Sequence, residues 1–146
     1  MNNWYEVKAK FVKQMDDGRL KRVTEPYLID AVSHMEAEER AWKEVLEHVA
    51  GEVIVTGITP KNYSDIYASD ESCDLWWACV VGYRSIDGDN GNEKYIKSNI
   101  LVEAVNIDTA LESLKTFIVS FTVDTFIHSI KETSIVEVLP YKPSND

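Results

Sequence analysis

Leu28-Ile29-Asp30-Ala31-Val32-Ser33-His34-Met35-Glu36-Ala37-Glu38-Glu39 returns later in the chain as Leu101-Val102-Glu103-Ala104-Val105-Asn106-Ile107-Asp108-Thr109-Ala110-Leu111-Glu112. Leu28, Ala31, Val32, Ala37 and Glu39 are identical to their counterparts, and Ile29/Val102 and Asp30/Glu103 are conservative exchanges. Ser33 and Asn106 are both good helix N-caps, because a short side-chain oxygen accepts from an N–H that the first helical turn leaves unpaired. Ser33-His34-Met35-Glu36 also fits a capping box, with the Glu36 carboxylate reaching back to the Ser33 N–H. Each copy reads as an apolar strand feeding a capped helix, so a strand-to-helix junction is used twice.

Upstream of the first copy, Tyr5, Val7, Ala9 and Phe11 alternate with Glu6, Lys8 and Lys10, the period of a half-buried strand. Asp16-Asp17-Gly18 reverses the chain, and Val23, Tyr27 and Ile29 form the apolar side of the return. Pro26 lacks an N–H, which predicts an edge position or a bulge at Glu25-Pro26 that turns Glu25 outward. Downstream, Ala41, Trp42, Val45, Leu46 and Val49 make a helical stripe ended by Ala50-Gly51. Val53 to Ile58 and Tyr63 to Ala68 follow as strands. The second half repeats the plan: Trp76 to Tyr83, a turn over 87–92, Tyr95 to Glu103, a helix with Ala110, Leu111, Leu114, Phe117, Ile118 and Phe121, then Phe126 to Ile130 and Ile135 to Leu139. The halves align at an offset of 72 at the first strand and distal helix, and of 73 at the junction.

These spacings predict one α+β domain over residues 1–146, an internal duplication of a β-β-α-β-β unit with repeats at about 3–69 and 75–141. An acidic joint over 70–74 and a frayed tail over 142–146 flank the second repeat. The expected architecture is antiparallel sheets with both helices packed on one side, related by a pseudo-twofold axis. One strand breaks the symmetry. Trp4, Glu6, Lys8 and Lys10 on the outward face of the first strand correspond to Trp76, Ala78, Val80 and Gly82, so the second is apolar on both faces. Two placements satisfy this: between the halves, or at a homodimer contact.

Apolar content of 45% and charged content of 27% are those of a folded globular protein. Two cysteines, Cys73 and Cys79, fit neither a disulfide framework nor a zinc knuckle and read as reduced thiols. The opening residues lack the regions of a signal peptide, and no apolar run reaches the roughly 18 residues of a membrane span, so a cytoplasmic location and no membrane partner are expected. A net charge of −10 opposes nonspecific association with nucleic acid. Against it, Lys8, Lys10, Lys13, Arg19, Lys21 and Arg22 face only Asp16 and Asp17 in the first hairpin.

His34, His48 and His128 lack the spacing that puts two imidazoles on one helical face for zinc, and read as surface histidines. Asp87-Gly88-Asp89-Asn90-Gly91-Asn92 resembles a calcium loop, but Asn92 and Ser98 stand where glycine and a bidentate glutamate are required; it reads as a hairpin turn. Glu36, Glu38, Glu39, Glu44 and Glu47 lie beside Arg40 and Lys43 on a solvated helix face. No catalytic residue, metal ligand or cofactor site is assigned.

Val23-Thr24-Glu25-Pro26-Tyr27-Leu28-Ile29-Asp30-Ala31 with Glu36-Ala37-Glu38, the opening Trp4, Tyr63-Ser64-Asp65-Ile66 and Pro140-Tyr141 resembles domain-of-unknown-function family 4494, uncharacterised proteins of Bacteroidota and their phages. The resemblance spans nearly the whole chain. It implies a bacterial or phage cytoplasmic origin and carries over no catalytic residue.

The expected function is that of a small non-enzymatic binding or adaptor protein acting through protein–protein contacts. Its candidate partner-binding residues are Trp4, Trp76, Lys8, Lys10, Arg19, Lys21 and Arg22, with a protein partner or a second copy through the Trp76 strand. The alternative is a nucleic-acid-linked accessory protein using the basic hairpin. An acidic decoy that inhibits a nucleic-acid-binding enzyme ranks below both, because the charge is split about evenly between the halves.

Overall fold

The computed structural model describes residues 3–69, 73, 75–86, 91–121 and 124–140. Most of the acidic joint, the core of the calcium-loop-like turn and the tail lie outside them.

The alternation at Tyr5 to Phe11 forms β1 (Asn3–Gln14). The chain reverses at Gly18, whose φ of +85° is left-handed geometry that a side chain would strain. β2 (Leu20–Ala31) then pairs with β1 antiparallel from Asn3/Ala31 to Gln14/Leu20. Among the described residues no bulge interrupts this register, which corrects the bulge expected at Glu25-Pro26. The Pro26 carbonyl accepts from the Val136 N–H at 2.9 Å, so Pro26 turns its nitrogen away from β1 and removes no ladder bond. Glu25 stays on the face of Tyr27, where its Oε2 accepts from the Tyr27 hydroxyl at 2.8 Å.

Ser33 caps α1 (His34–Glu44) by accepting from the Glu36 N–H at 3.1 Å, while Glu36 reaches back to the N–H of Val32, one residue before the expected Ser33. The helix is shorter than its apolar stripe. Val45 leaves helical geometry, and a 3-10 turn (Leu46–His48) completes the run so that Leu46 is still buried. β3 (Ile54–Lys61) returns antiparallel to β1, with a register shift at Lys8/Ala9. The remaining elements are β4 (Asp65–Tyr67), β5 (Trp76–Ile86), β6 (Glu93–Glu103), α2 (Ile107–Ile118), β7 (Thr125–Glu132) and β8 (Glu137–Leu139). Asn106 caps α2, accepting from the Thr109 N–H at 2.8 Å.

The chain is α+β, with two helices and two four-stranded sheets ordered β3-β1-β2-β8 and β4-β6-β5-β7. Both sheets are antiparallel except at one edge, where β8 runs parallel to β2 and β4 parallel to β6. The fourth strand of each consecutive run therefore sits in the sheet of the other half. Two compact units result, one of residues 1–62 and 135–146, the other of 63–134. Their construction matches at the sequence offset: Tyr27 to Ile29 pair with Glu137 to Leu139 as Ile100 to Val102 pair with Asp65 to Tyr67, and the shift at Lys8/Ala9 is matched at Val80/Val81.

Each unit has a core cluster of its own. In the first, Tyr5, Val7, Ala9, Phe11, Tyr27 and Ile29 pack with Ala37 and Ala41 of α1 and with Leu46. In the second, Trp77, Cys79, Val81, Ile100 and Val102 pack with Ala110 and Leu114 of α2. The opposite face of β5 carries Trp76, Ala78, Val80, Gly82 and Arg84. Trp76 is only 7% exposed within the single chain.

Candidate functional site

At the far end of that β5 face the composition changes from apolar to aromatic and cationic. Register places Arg84 opposite Tyr95, and Gly82 between Lys97 on β6 and Phe126 on β7. His128 follows at the irregularity in the β5–β7 pairing, where Val80 pairs with Ser129 and Val81 with Ile127. Arg84, Tyr95, Lys97, Phe126 and His128 line one hollow of about 650 Å³. Arg84 and Phe126 also border a second, of about 510 Å³, with Asp124 and Thr125.

The rings are held in a defined arrangement. A Cβ on Gly82 would lie 2.9 Å from Cζ of Phe126, so only glycine lets the phenyl ring rest on the strand backbone there. Tyr95 meets Phe126 edge to face, with centroids 5.8 Å apart and planes at 83°, and the His128 ring lies 5.3 Å from Phe126, tilted by 50°. The Arg84 guanidinium sits 5.5 Å over the Tyr95 ring while its Nε donates to the Tyr95 hydroxyl at 3.1 Å. A cation–π contact and a hydrogen bond thus fix the same arginine. Tyr95 is 55% exposed and Phe126 38%, large for aromatic side chains so close together.

The residues singled out from the sequence are not gathered in this way. Lys8, Lys10 and Arg22 belong to the face of β1 and β2 opposite the helix, whereas Lys21 pairs with Lys13 on the helix-side face, and Arg19 is in the turn. Acids accompany several of these cations: Lys8 lies 3.7 Å from Glu6, Lys13 3.3 Å from Glu25 and Arg19 3.5 Å from Asp17. Trp4 is half-buried in β1 and Trp76 is buried. A further hollow of about 600 Å³ beside α1 is lined by His34, Met35, Trp42 and Ile58 together with Glu38, Glu39, Glu47 and Lys43. His34 packs against Tyr5 at 4.8 Å there. Among the described residues no three His, Cys, Asp or Glu side chains gather as a metal site.

Two shifted groups lie in the cores. Burial pushes the Cys79 thiol up to about 11, and the Tyr27 phenol is raised by burial first and then by its bond to Glu25. Both shifts favour the neutral form, the opposite of what an activated thiolate or phenolate requires.

Sequence reasoning passed over Arg84, Tyr95, Lys97 and Phe126 and took His128 as an ordinary surface residue. Their signal was the glycine inside an otherwise apolar strand, which marks a close approach by another group.

A family model described as a domain of unknown function (DUF4494) matches residues 3–141. The chain belongs to that family. Neither the curated proteins nor the solved structures contain a match. Among the described residues no helix is long and apolar enough to cross a membrane.

Proposed function

We propose that the chain is a small non-enzymatic binding protein of the bacterial or phage cytoplasm, and that its contact surface is the aromatic and cationic end of β5, β6 and β7. One observation carries this reading: Arg84, Tyr95, Lys97, Phe126 and His128 converge on one hollow of about 650 Å³ with both rings exposed. Exposed aromatic side chains beside arginine are the composition of binding hot spots, where a partner gains most by covering them. The shifted tyrosine and cysteine are both held neutral within the cores, which suits a structural role better than a chemical one.

A second copy docking through the Trp76 strand is the lesser reading, because Trp76 is only 7% exposed in the single chain. The test is co-purification from the native host. Replacing Tyr95 and Phe126 together by alanine should abolish capture of the partners held by the native chain while leaving the circular dichroism spectrum intact. Capture that survives the double substitution would move the function elsewhere.

A further inference from the structure

Resting on that reading, we infer that the face binds single-stranded nucleic acid, with a base laid on Phe126 against Tyr95 and its backbone phosphates met by Arg84, Lys97 and His128. Phe126 has Gly82 beneath it, so the side of the ring away from the strand is the accessible one. Tyr95 stands nearly perpendicular to it at 5.8 Å, which makes a floor and a wall around one flat group. Every nucleobase has a π-face, so such a corner accepts bases with little sequence preference.

Charge supports the same ligand. The protein carries −10 overall, yet no described residue lining this hollow is acidic, and Asp124 borders only the adjoining hollow that shares Arg84 and Phe126. None of Arg84, Lys97 and His128 is in a salt bridge among the described residues; in the first hairpin Lys8, Lys13 and Arg19 are, and Lys10, Lys21 and Arg22 are not. The bond from Arg84 Nε to Tyr95 orients the guanidinium, whose planar fork of donors matches a phosphate.

The arrangement favours a single strand over its competitors. A duplex keeps its bases stacked inside and would engage only the cations. An acidic peptide would use the cations and leave the ring faces idle. A free nucleotide needs a pocket that encloses most of its surface, and a face with Tyr95 55% exposed is too open for that. A strand running over the face adds phosphate contacts that a mononucleotide lacks.

The test is fluorescence anisotropy of a labelled twelve-residue oligo(dT) at low salt, against a duplex of equal length, a labelled glutamate-rich peptide and unlabelled dTMP as competitor. The full chain should bind the single strand in preference to duplex and peptide, and dTMP should compete poorly. Phe126→Leu, which keeps an apolar cover over Gly82, should weaken binding about tenfold or more. Lys97→Ala should lower the slope of log affinity against log salt by about 0.7, and Lys10→Gln, which removes one hairpin charge outside the face, should weaken binding less than Lys97→Gln does. Equal binding of duplex, preference for the peptide, full competition by dTMP at matched nucleotide concentration, or indifference to Phe126→Leu would each overturn the assignment. If oligo(dT) fails to bind while the Tyr95/Phe126 double variant still loses its captured partners, the nucleic-acid ligand falls and the binding face stands. If capture is also unaffected, both fall.

Discussion

The faces of β1–β2–β3 and of β5–β6–β7 turned away from the helices share one backbone plan and differ in nearly every side chain. Lys10 pairs with Thr24 and Ile54 as Gly82 pairs with Lys97 and Phe126, and Val12 with Arg22 as Arg84 with Tyr95. Where the first unit has Val12, Arg22, Thr24, Ile54 and Thr56, the second has Arg84, Tyr95, Lys97, Phe126 and His128. The first encloses a hollow of about 150 Å³ involving Lys10, Arg22 and Ile54; the second opens about 650 Å³. With register held constant, identity at position 10 or 82 decides whether an aromatic ring can lie on the sheet. Binding capacity here is a property of side chains placed on a common frame, and the comparison is strongest at the positions where the frames coincide.

The largest expected effect separates the two cores by pH. Cys79 occupies the place that Val7 holds in the first unit. Its folded value is raised from 9.0 to about 11, so the native state holds a proton that the unfolded chain releases. Stability is full below pH 9 and falls by about 1.4 kcal/mol per pH unit up to about 11, a total of roughly 2–3 kcal/mol. Tyr27, raised above the ordinary phenol value of 10.0, adds a loss of the same sign at pH above 10. Urea denaturation at pH 8, 9 and 10.5 should show this decline, and Cys79→Val should remove its portion between 9 and 11. A Cys79→Val profile identical to that of the native chain would leave the decline to Tyr27 alone.

Next come the latches on the exchanged strands. Arg40 donates to the carbonyls of Asp30 at 2.6 Å, Leu139 at 3.4 Å and Pro140 at 3.1 Å, and pairs with Glu44 at 2.8 Å. It ties α1 to β2 and to the end of β8. In the second unit the sign is reversed: the Glu103 carboxylate, at the position equivalent to Asp30, accepts from the N–H groups of Ser69 and Cys73 after β4. Arg40→Ala should cost about 2 kcal/mol by loss of charge-assisted bonds, and Glu103→Ala about 1–2 kcal/mol. Hydrogen exchange should place the loosening at Val138 and Leu139 in the first variant and at Ile66 and Tyr67 in the second. Uniform loosening of both would deny each latch its own strand.

The α+β class, the longer strands and both helix caps were legible in the sequence, because period and capping are local properties. The exchange of β4 and β8 was not. Asp65-Ile66-Tyr67 and Glu137-Val138-Leu139 are three residues each, and so short an apolar-centred run carries no mark of which of two equivalent edges it joins. Glu25 was misjudged for a related reason: its partners, the Tyr27 hydroxyl and Lys13, make an inward carboxylate tolerable, and neither bond can be read before register is known. The candidate site draws on three strands whose members are unremarkable one by one. Arg84 and Tyr95 meet only because β5 and β6 pair at that step.

The smallest effects come from exchanging the faces themselves. Gly82→Lys puts the first unit's residue into the second, and a Cβ 2.9 Å from Phe126 forces the ring off the strand. The expected cost is about 1–2 kcal/mol of stability, read by thermal melting, with loss of the oligo(dT) anisotropy signal. The reverse graft, Lys10→Gly with Ile54→Phe, works on a frame that already has the matching register. Glycine weakens a strand by about 0.5–1 kcal/mol, and a ring laid over it restores part of that, so the net change should stay under about 1 kcal/mol. Adding Val12→Arg and Arg22→Tyr would rebuild the Arg84/Tyr95 pair. If side chains alone separate the two faces, this fourfold variant with Gly82→Lys elsewhere in the chain regains binding of the oligonucleotide. If it melts like the native chain and still binds nothing, the contribution of Lys97 and His128, absent from the graft, is essential and the two rings are insufficient.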